Sequence, residues 1–284
     1  MTRETITIQE QSVAAVSPEG ARAAMPLGEF LHGVAPPRMD TCGLVLPDGV
    51  KSVLAARSTV VWVYQDPPRV RSLRWLAADS AKPFGPEAKY RTVRLAMPYV
   101  LVLAVFGPGE AGPLRLIHRN ECFFMTRPLR SLDDPVCYPA LLNCSKFARE
   151  QGHPLSWICS VRMNLKETNA VEDTNERMRA SFAALLDCLW HTGFNRSSEH
   201  HEETSWFSET VRRGVDERIA GVERWEAATR EDRHFVLDVP WLPTGRTVRQ
   251  VAERILAGHR APRQVAPTAA GLARIIHRYA ASHK

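Results

Sequence analysis

Four of the six cysteines fall between Glu121 and Cys159, in ECFFMTRPLRSLDDPVCYPALLNCSKFAREQGHPLSWIC. A cysteine attacks as its thiolate, so a nucleophilic one needs access to solvent and a polar group that steadies the charge formed in the reaction. Cys159 stands behind Trp157-Ile158, and Asn143 ends a separate apolar run upstream. Together they offer a thiol and a carboxamide. The competing reading of Cys159 is a core thiol, because free cysteine is among the most buried residue types. Cys137 follows Asp133-Asp134, whose negative charge disfavours a thiolate. Cys144 sits between Asn143 and Ser145-Lys146, and a close Lys146 would favour its thiolate. Cys188 borders the apolar face of a predicted helix and reads as core.

Other chemistries have weaker footing. Cys188, His191, His200, His201, Glu202 and Glu203 are metal-ligand types, but their spacing fits no zinc finger, and a polar loop accounts for them better. Gly107, Gly109 and Gly112 match G-x-G-x-x-G. A dinucleotide fingerprint must open a helix, whereas Leu114 to His118 is strand-like, so a hairpin turn is expected. No C-x-x-C, P-loop, H-E-x-x-H or G-x-S-x-G motif occurs. Asp133-Asp134 reads as a turn. No metal or cofactor is expected.

The 284 residues can bury a sizeable core, and the 44% hydrophobic and 24% charged fractions are those of an ordinary globular chain. No apolar window nears the 18 residues of a membrane span, and the first 20 residues do not read as a secretory leader. A cytoplasmic protein with reduced thiols is expected. From Arg246 to Lys284 there are eight Lys/Arg and one acid, a net +7, which leaves −1 for residues 1–245 of a chain whose total is +6. That basic tail reads as a solvated helical face, with an acidic partner protein or nucleic acid as the alternatives.

Residues 1–50 read as an irregular arm broken by prolines, with one helical stretch near Glu19 to His32. The β-branched and aromatic run Thr59 to Tyr64, the turn Asp66-Pro67-Pro68 and Val70 to Leu76 predict a hairpin. Tyr90 to Met97, Tyr99 to Phe106, Leu114 to His118 and Cys122 to Thr126 continue it into an antiparallel meander. Beyond Cys159 the apolar period becomes helical, over Asn175 to Trp190, Val211 to Trp225, Thr247 to Leu256 and Ala269 to Tyr279, with Phe235 to Leu237 extended. The class is α+β: an antiparallel meander followed by helices. The expected division is an arm at 1–50, an α+β domain at 51–235 and a basic helical extension at 236–284.

Meander strands, then CYPALLNCSKF, then HPLSWICS, then helices: this order resembles the prokaryotic ubiquitin-conjugating-enzyme-like proteins. The resemblance spans roughly 58–190. It implies that Pro139 to Asn143 occupies the place of the family's H-P-N segment, with Asn143 matching its asparagine and SKFAREQGHP inserted after it. It implies Cys159 as the catalytic cysteine. The implied activity is that of a bacterial transferase carrying a ubiquitin-like modifier as a thioester, with that modifier and its activating enzyme as partners. An inactive scaffold of the same fold and a nucleic-acid-associated protein acting through the basic tail are the other readings.

Overall fold

A computed structural model describes residues 5–34, 45–56, 59–77, 80, 88–108, 114–146, 154–160, 163–194, 205–258 and 269–282. The chain forms two compact units, one of residues 1–41 with 260–284 and one of residues 42–259.

In the first unit, β1 (Thr5–Gln9), β2 (Ser12–Val16) and β3 (Arg22–Pro26) form an antiparallel sheet in that order. Helix α1 (Leu27–Val34) follows, and a C-terminal helix spans Ala269–Ser282. Strict alternation puts Val13, Ala15, Ala23 and Met25 on one buried face, packed with Phe30, Ala273 and Ile276. The expected irregular arm is therefore corrected. Its alanine-rich strands carry little β propensity of their own and draw their order from this packing.

The second unit holds β4 (Val50–Ala56), β5 (Thr59–Asp66), β6 (Arg69–Leu76), β7 (Tyr90–Met97), β8 (Tyr99–Pro108), β9 (Leu114–Leu116) and β10 (Glu121–Met125). Then come β11 (Pro135–Cys137), β12 (Cys144–Ser145), β13 (Trp157–Ile158), α2 (Lys166–Asn169), α3 (Thr174–His191), α4 (Trp206–Arg212), α5 (Val222–Glu231), β14 (Pro243–Thr247) and α6 (Val248–Gly258). The main sheet runs β12-β13-β10-β8-β5-β4, all antiparallel; β5, β8 and β10 fall on expected strands, whereas β4 lies outside them and β6 and β7 pair with each other outside this sheet, so the sequential meander is corrected. Both faces of its centre are covered. Val60, Trp62, Val100, Val102, Phe106 and Phe124 meet helical residues such as Phe182, Leu185 and Trp225. Val61, Val63, Leu101, Leu103 and Phe123 meet Val248, Val251 and Ile255 of α6. A strand buried on both faces reads as the unbroken apolar run YVLVLAVF rather than as an alternation.

The hairpin expected between 59–64 and 70–76 is not formed. β5 pairs with β8, and β6 pairs with β7. Partner numbers add to one constant in both ladders (Asp66 with Val100, then Arg69 with Met97), so β5–β6 and β7–β8 are the two arms of one long ribbon. Pro67, Pro68 and Pro98 lie at its interruption, where they supply no N–H to the ladder. The buried Asp66 carboxylate there takes the guanidinium groups of both Arg69 and Arg71, and Arg71 stacks 3.9 Å over the Trp190 ring. Helix α5 seals the free edge of β7. Glu226 accepts from Arg94 N at 3.0 Å and Thr229 Oγ1 from Ala96 N at 2.9 Å, while Trp225 Nε1 donates to Ala96 O at 3.0 Å.

The helix expected over Val211 to Trp225 is two helices. Gly214 takes φ +59° after α4, Asp216 caps a 3-10 turn at Glu217–Ile219, and α5 starts after Gly221. Phe235–Leu237 is a 3-10 turn, not an extended piece. The capping box of α6 forms reciprocally: Thr247 N donates to Gln250 Oε1 at 3.0 Å and Gln250 N to Thr247 Oγ1 at 3.3 Å.

The expected extension at 236–284 is divided. Residues up to 259 belong to the second unit and those from 260 to the first. Two of its cations are held in ion pairs. Arg249 pairs with Asp133 at 2.7 Å and Arg254 with the buried Glu121. None of the described helices is long and apolar enough to cross a membrane.

Glu209, its side chain only 2% exposed, holds Arg212, Arg213 (2.5 Å) and Lys146 (3.2 Å). Hydrogen bonds from Arg212 first, then Arg213 and Lys146, bring its carboxyl down to about 2. A carboxyl depressed in the fold contributes stability above its unfolded pKa and loses it as pH falls through the folded one. Glu209→Gln is expected to lower stability at pH 7 and to flatten the loss between about pH 4.5 and pH 2, as read by urea unfolding across that range.

Candidate functional site

The site is built where the sheet's last strands meet the end of α3. β13 pairs antiparallel with β12, Cys144 opposite Ile158 and Ser145 opposite Trp157. The next rung brings Asn143 against Cys159, whose N–H donates to Asn143 O at 2.9 Å. Sixteen positions apart in sequence, the two expected site residues are thus neighbours. Of the inserted stretch at 145–154, residues 147–153 lie outside the described residues.

Cys144 and Ile158 point into the core and are fully buried. Cys159 is half-buried. Asn143 is 8% exposed, and its Nδ2 donates to Leu189 O at 2.7 Å, one of the carbonyls that the last turn of α3 leaves without a helical partner. The Cys144 thiol donates to Asn143 Oδ1 at 3.9 Å. Both ends of the carboxamide are engaged, so Asn143 is a positioning residue: it ties the Cys159 strand to α3. Asn143→Ala leaves a buried carbonyl unpaired. It is expected to lower unfolding free energy by about 1–3 kcal/mol, with a lower denaturation midpoint in urea.

Three of the other described thiols are raised by burial. Cys144 is wholly buried, and burial, reinforced by Cys122, Cys159 and Cys188, pushes its thiol well up. Burial also raises Cys137; the flanking aspartates do not, since Asp133 is bound by Arg249 and Asp134 accepts from Arg130 N (2.8 Å) and Ser131 N (3.0 Å). Those bonds hold both carboxyls below their usual range and make the pair a structural turn. Lys146 lies 4.8 Å over the Trp206 ring and 3.2 Å from Glu209. Cys188 is pushed up to about 11 by burial, then by Cys159 and Asp187.

Two neighbours of Cys159 carry no sequence signal. His118 Nδ1 lies 3.2 Å from the Oγ of the buried Ser160, and His118 O accepts from Trp157 Nε1 at 2.7 Å. The loop after β9 brings this imidazole to the residue beside the thiol, a contact across 42 positions. Glu121, opposite Trp157 across the β10–β13 pair, supports the same segment by accepting from Leu155 N at 2.9 Å and Ser156 N at 3.3 Å.

His191 is exposed and bonded to Asp187 at 2.6 Å, while His200, His201, Glu202 and Glu203 lie outside the described residues. Among the described residues no group of three or more His, Cys, Asp or Glu is placed to hold a metal ion. Gly107 is the penultimate residue of β8, and β9 returns against it with Gly107 opposite Arg115 and Pro108 opposite Leu114, the expected hairpin; Gly109 and Gly112 lie outside the described residues. A cleft of about 1100 Å³ opens beside Arg69, Arg94 and Arg233, and no cysteine lines it.

The architecture is mixed α+β with antiparallel sheets. The chain matches no protein-family model, no curated protein and no solved structure.

Proposed function

We propose that this protein carries a ubiquitin-like modifier as a thioester on Cys159, as the resemblance to prokaryotic ubiquitin-conjugating-enzyme-like proteins implies. The observation that carries the reading is the Asn143–Cys159 rung at the β12–β13 end of the main antiparallel sheet, with Cys159 half-buried while Cys122, Cys144 and Cys188 are buried. The Cys159 thiolate attacks the carbonyl of the modifier's C-terminal thioester on an activating enzyme. The tetrahedral intermediate collapses with departure of the activating enzyme's thiolate, and the same exchange passes the acyl group on to an amine. Sulfur suits both directions because it is a good nucleophile and a good leaving group. Asn143 serves by fixing the strand. Incubation with an activating enzyme, ATP and a ubiquitin-like protein tests the reading: a non-reducing gel shows an adduct that dithiothreitol removes.

A scaffold of the same fold without catalysis is favoured by one observation, the engagement of both ends of the Asn143 carboxamide. A protein that never charges under those conditions, yet binds the modifier, fits that reading. The nucleic-acid reading is weakened by the ion pairs of Arg249 and Arg254.

A further inference from the structure

Four sulfurs from distant parts of the sequence converge at the end of α3: Cys144 lies within electrostatic reach of Cys122, Cys159 and Cys188. Within this group Cys188 and Cys159 are in direct contact, the Cys188 thiol donating to Cys159 O at 3.5 Å. That carbonyl carbon and the Cys159 side chain are joined to one Cα, and Cys159 also acts electrostatically on the Cys188 thiol, which sets the two side chains in one neighbourhood. Cys159 is half-buried and Cys188 is buried. This is the arrangement of an oxidisable thiol with a resolving partner.

We propose that Cys159 and Cys188 form a redox site, closed to a disulfide by hydrogen peroxide. The Cys159 sulfur attacks one peroxide oxygen, the O–O bond breaks, and the first water leaves, giving a sulfenic acid. The Cys188 sulfur then attacks the Cys159 sulfur, the S–O bond breaks, and the second water leaves. The two thiols give up two electrons and two protons, and one peroxide becomes two waters. The site stands on this geometry alone; if Cys159 also carries the modifier, the disulfide blocks charging.

The test treats the full reduced chain with a small excess of peroxide, alkylates the remaining thiols after unfolding, and maps peptides by mass. The expected result is a Cys159–Cys188 linked peptide two hydrogens lighter than the free pair. In Cys188→Ser that peptide is lost and Cys159 advances to the sulfinic acid. Linkage of Cys159 to Cys144 or Cys137, over-oxidation of Cys159 in the wild type with Cys188 free, or no oxidation of either overturns the proposal. No modifier or activating enzyme enters the assay, so a protein that oxidises as described but never charges refutes the thioester reading and leaves this site standing.

Discussion

Cys159→Ala is expected to abolish the dithiothreitol-sensitive adduct, a loss on the order of 10³-fold or more, the scale seen when a covalent nucleophile is removed. Cys137→Ala and Cys144→Ala are expected to keep it. Their thiols are buried to different depths and raised by that burial. Cys144→Ala also opens a small gap in the core, so its fold must first be checked by urea unfolding. Non-reducing gels of the three variants, run at equal protein and activating-enzyme concentration, check the result. Charging that persists in Cys159→Ala and disappears in Cys137→Ala moves the site to the strand β11.

Arg254→Met is expected to lower unfolding free energy by about 3–5 kcal/mol, because it strands the Glu121 carboxylate in the core. Glu121 is 1% exposed and, among the described residues, keeps two backbone donors, Leu155 N and Ser156 N, once Arg254 is gone. Burial already holds the Glu121 carboxyl above its usual range despite Arg254. The sign of the pH dependence follows. Above the unfolded pKa the folded state binds the proton more tightly, so Glu121 favours the fold when protonated and opposes it as pH rises through the folded pKa. Losing Arg254 raises that pKa further, so the variant's deficit is expected to be large at pH 7 and to shrink toward pH 5. Glu121→Gln combined with Arg254→Met is expected to recover most of the loss, since the pair rather than either partner is then removed. Urea titrations of both variants at the two pH values check this. Because Glu121 also holds Leu155 and Ser156, the single variant should expose the Cys159 segment to faster amide exchange.

What could be read from the sequence follows the range of the forces involved. Strands β5 to β8 and β10 were legible because β-branched and aromatic runs with turn residues between them are local signals, but their pairing was not. Helix α3 was legible from the spacing of Met178, Phe182, Leu185 and Leu189, and α6 from its capping box. The three N-terminal strands were not, because Val13, Ala15, Ala23 and Met25 alternate over runs too small and too alanine-rich to separate from helix. Gly214 split a helix that periodicity had joined. The pairing of Asn143 with Cys159 rests on β12 and β13, two residues each, far below the length at which any pattern shows. The approach of His118 to Ser160 and of Cys188 to Cys159 depends wholly on how β10, β13 and α3 pack. Sequence reasoning named Asn143 for its amide, whereas its structural use is through both backbone and amide, to hold a strand to a helix end.

The central claim is that Cys159 presents the most reactive sulfur among the described cysteines, and competitive alkylation measures it most directly. The folded, reduced protein is pulsed with substoichiometric iodoacetamide at pH 7.5, quenched, unfolded, alkylated with an isotopically heavy reagent, and mapped by mass. The account predicts that the Cys159 peptide takes the light label well ahead of those bearing Cys122, Cys137, Cys144 and Cys188. Light label on Cys137 or Cys144 first, with Cys159 protected until the protein unfolds, would contradict it.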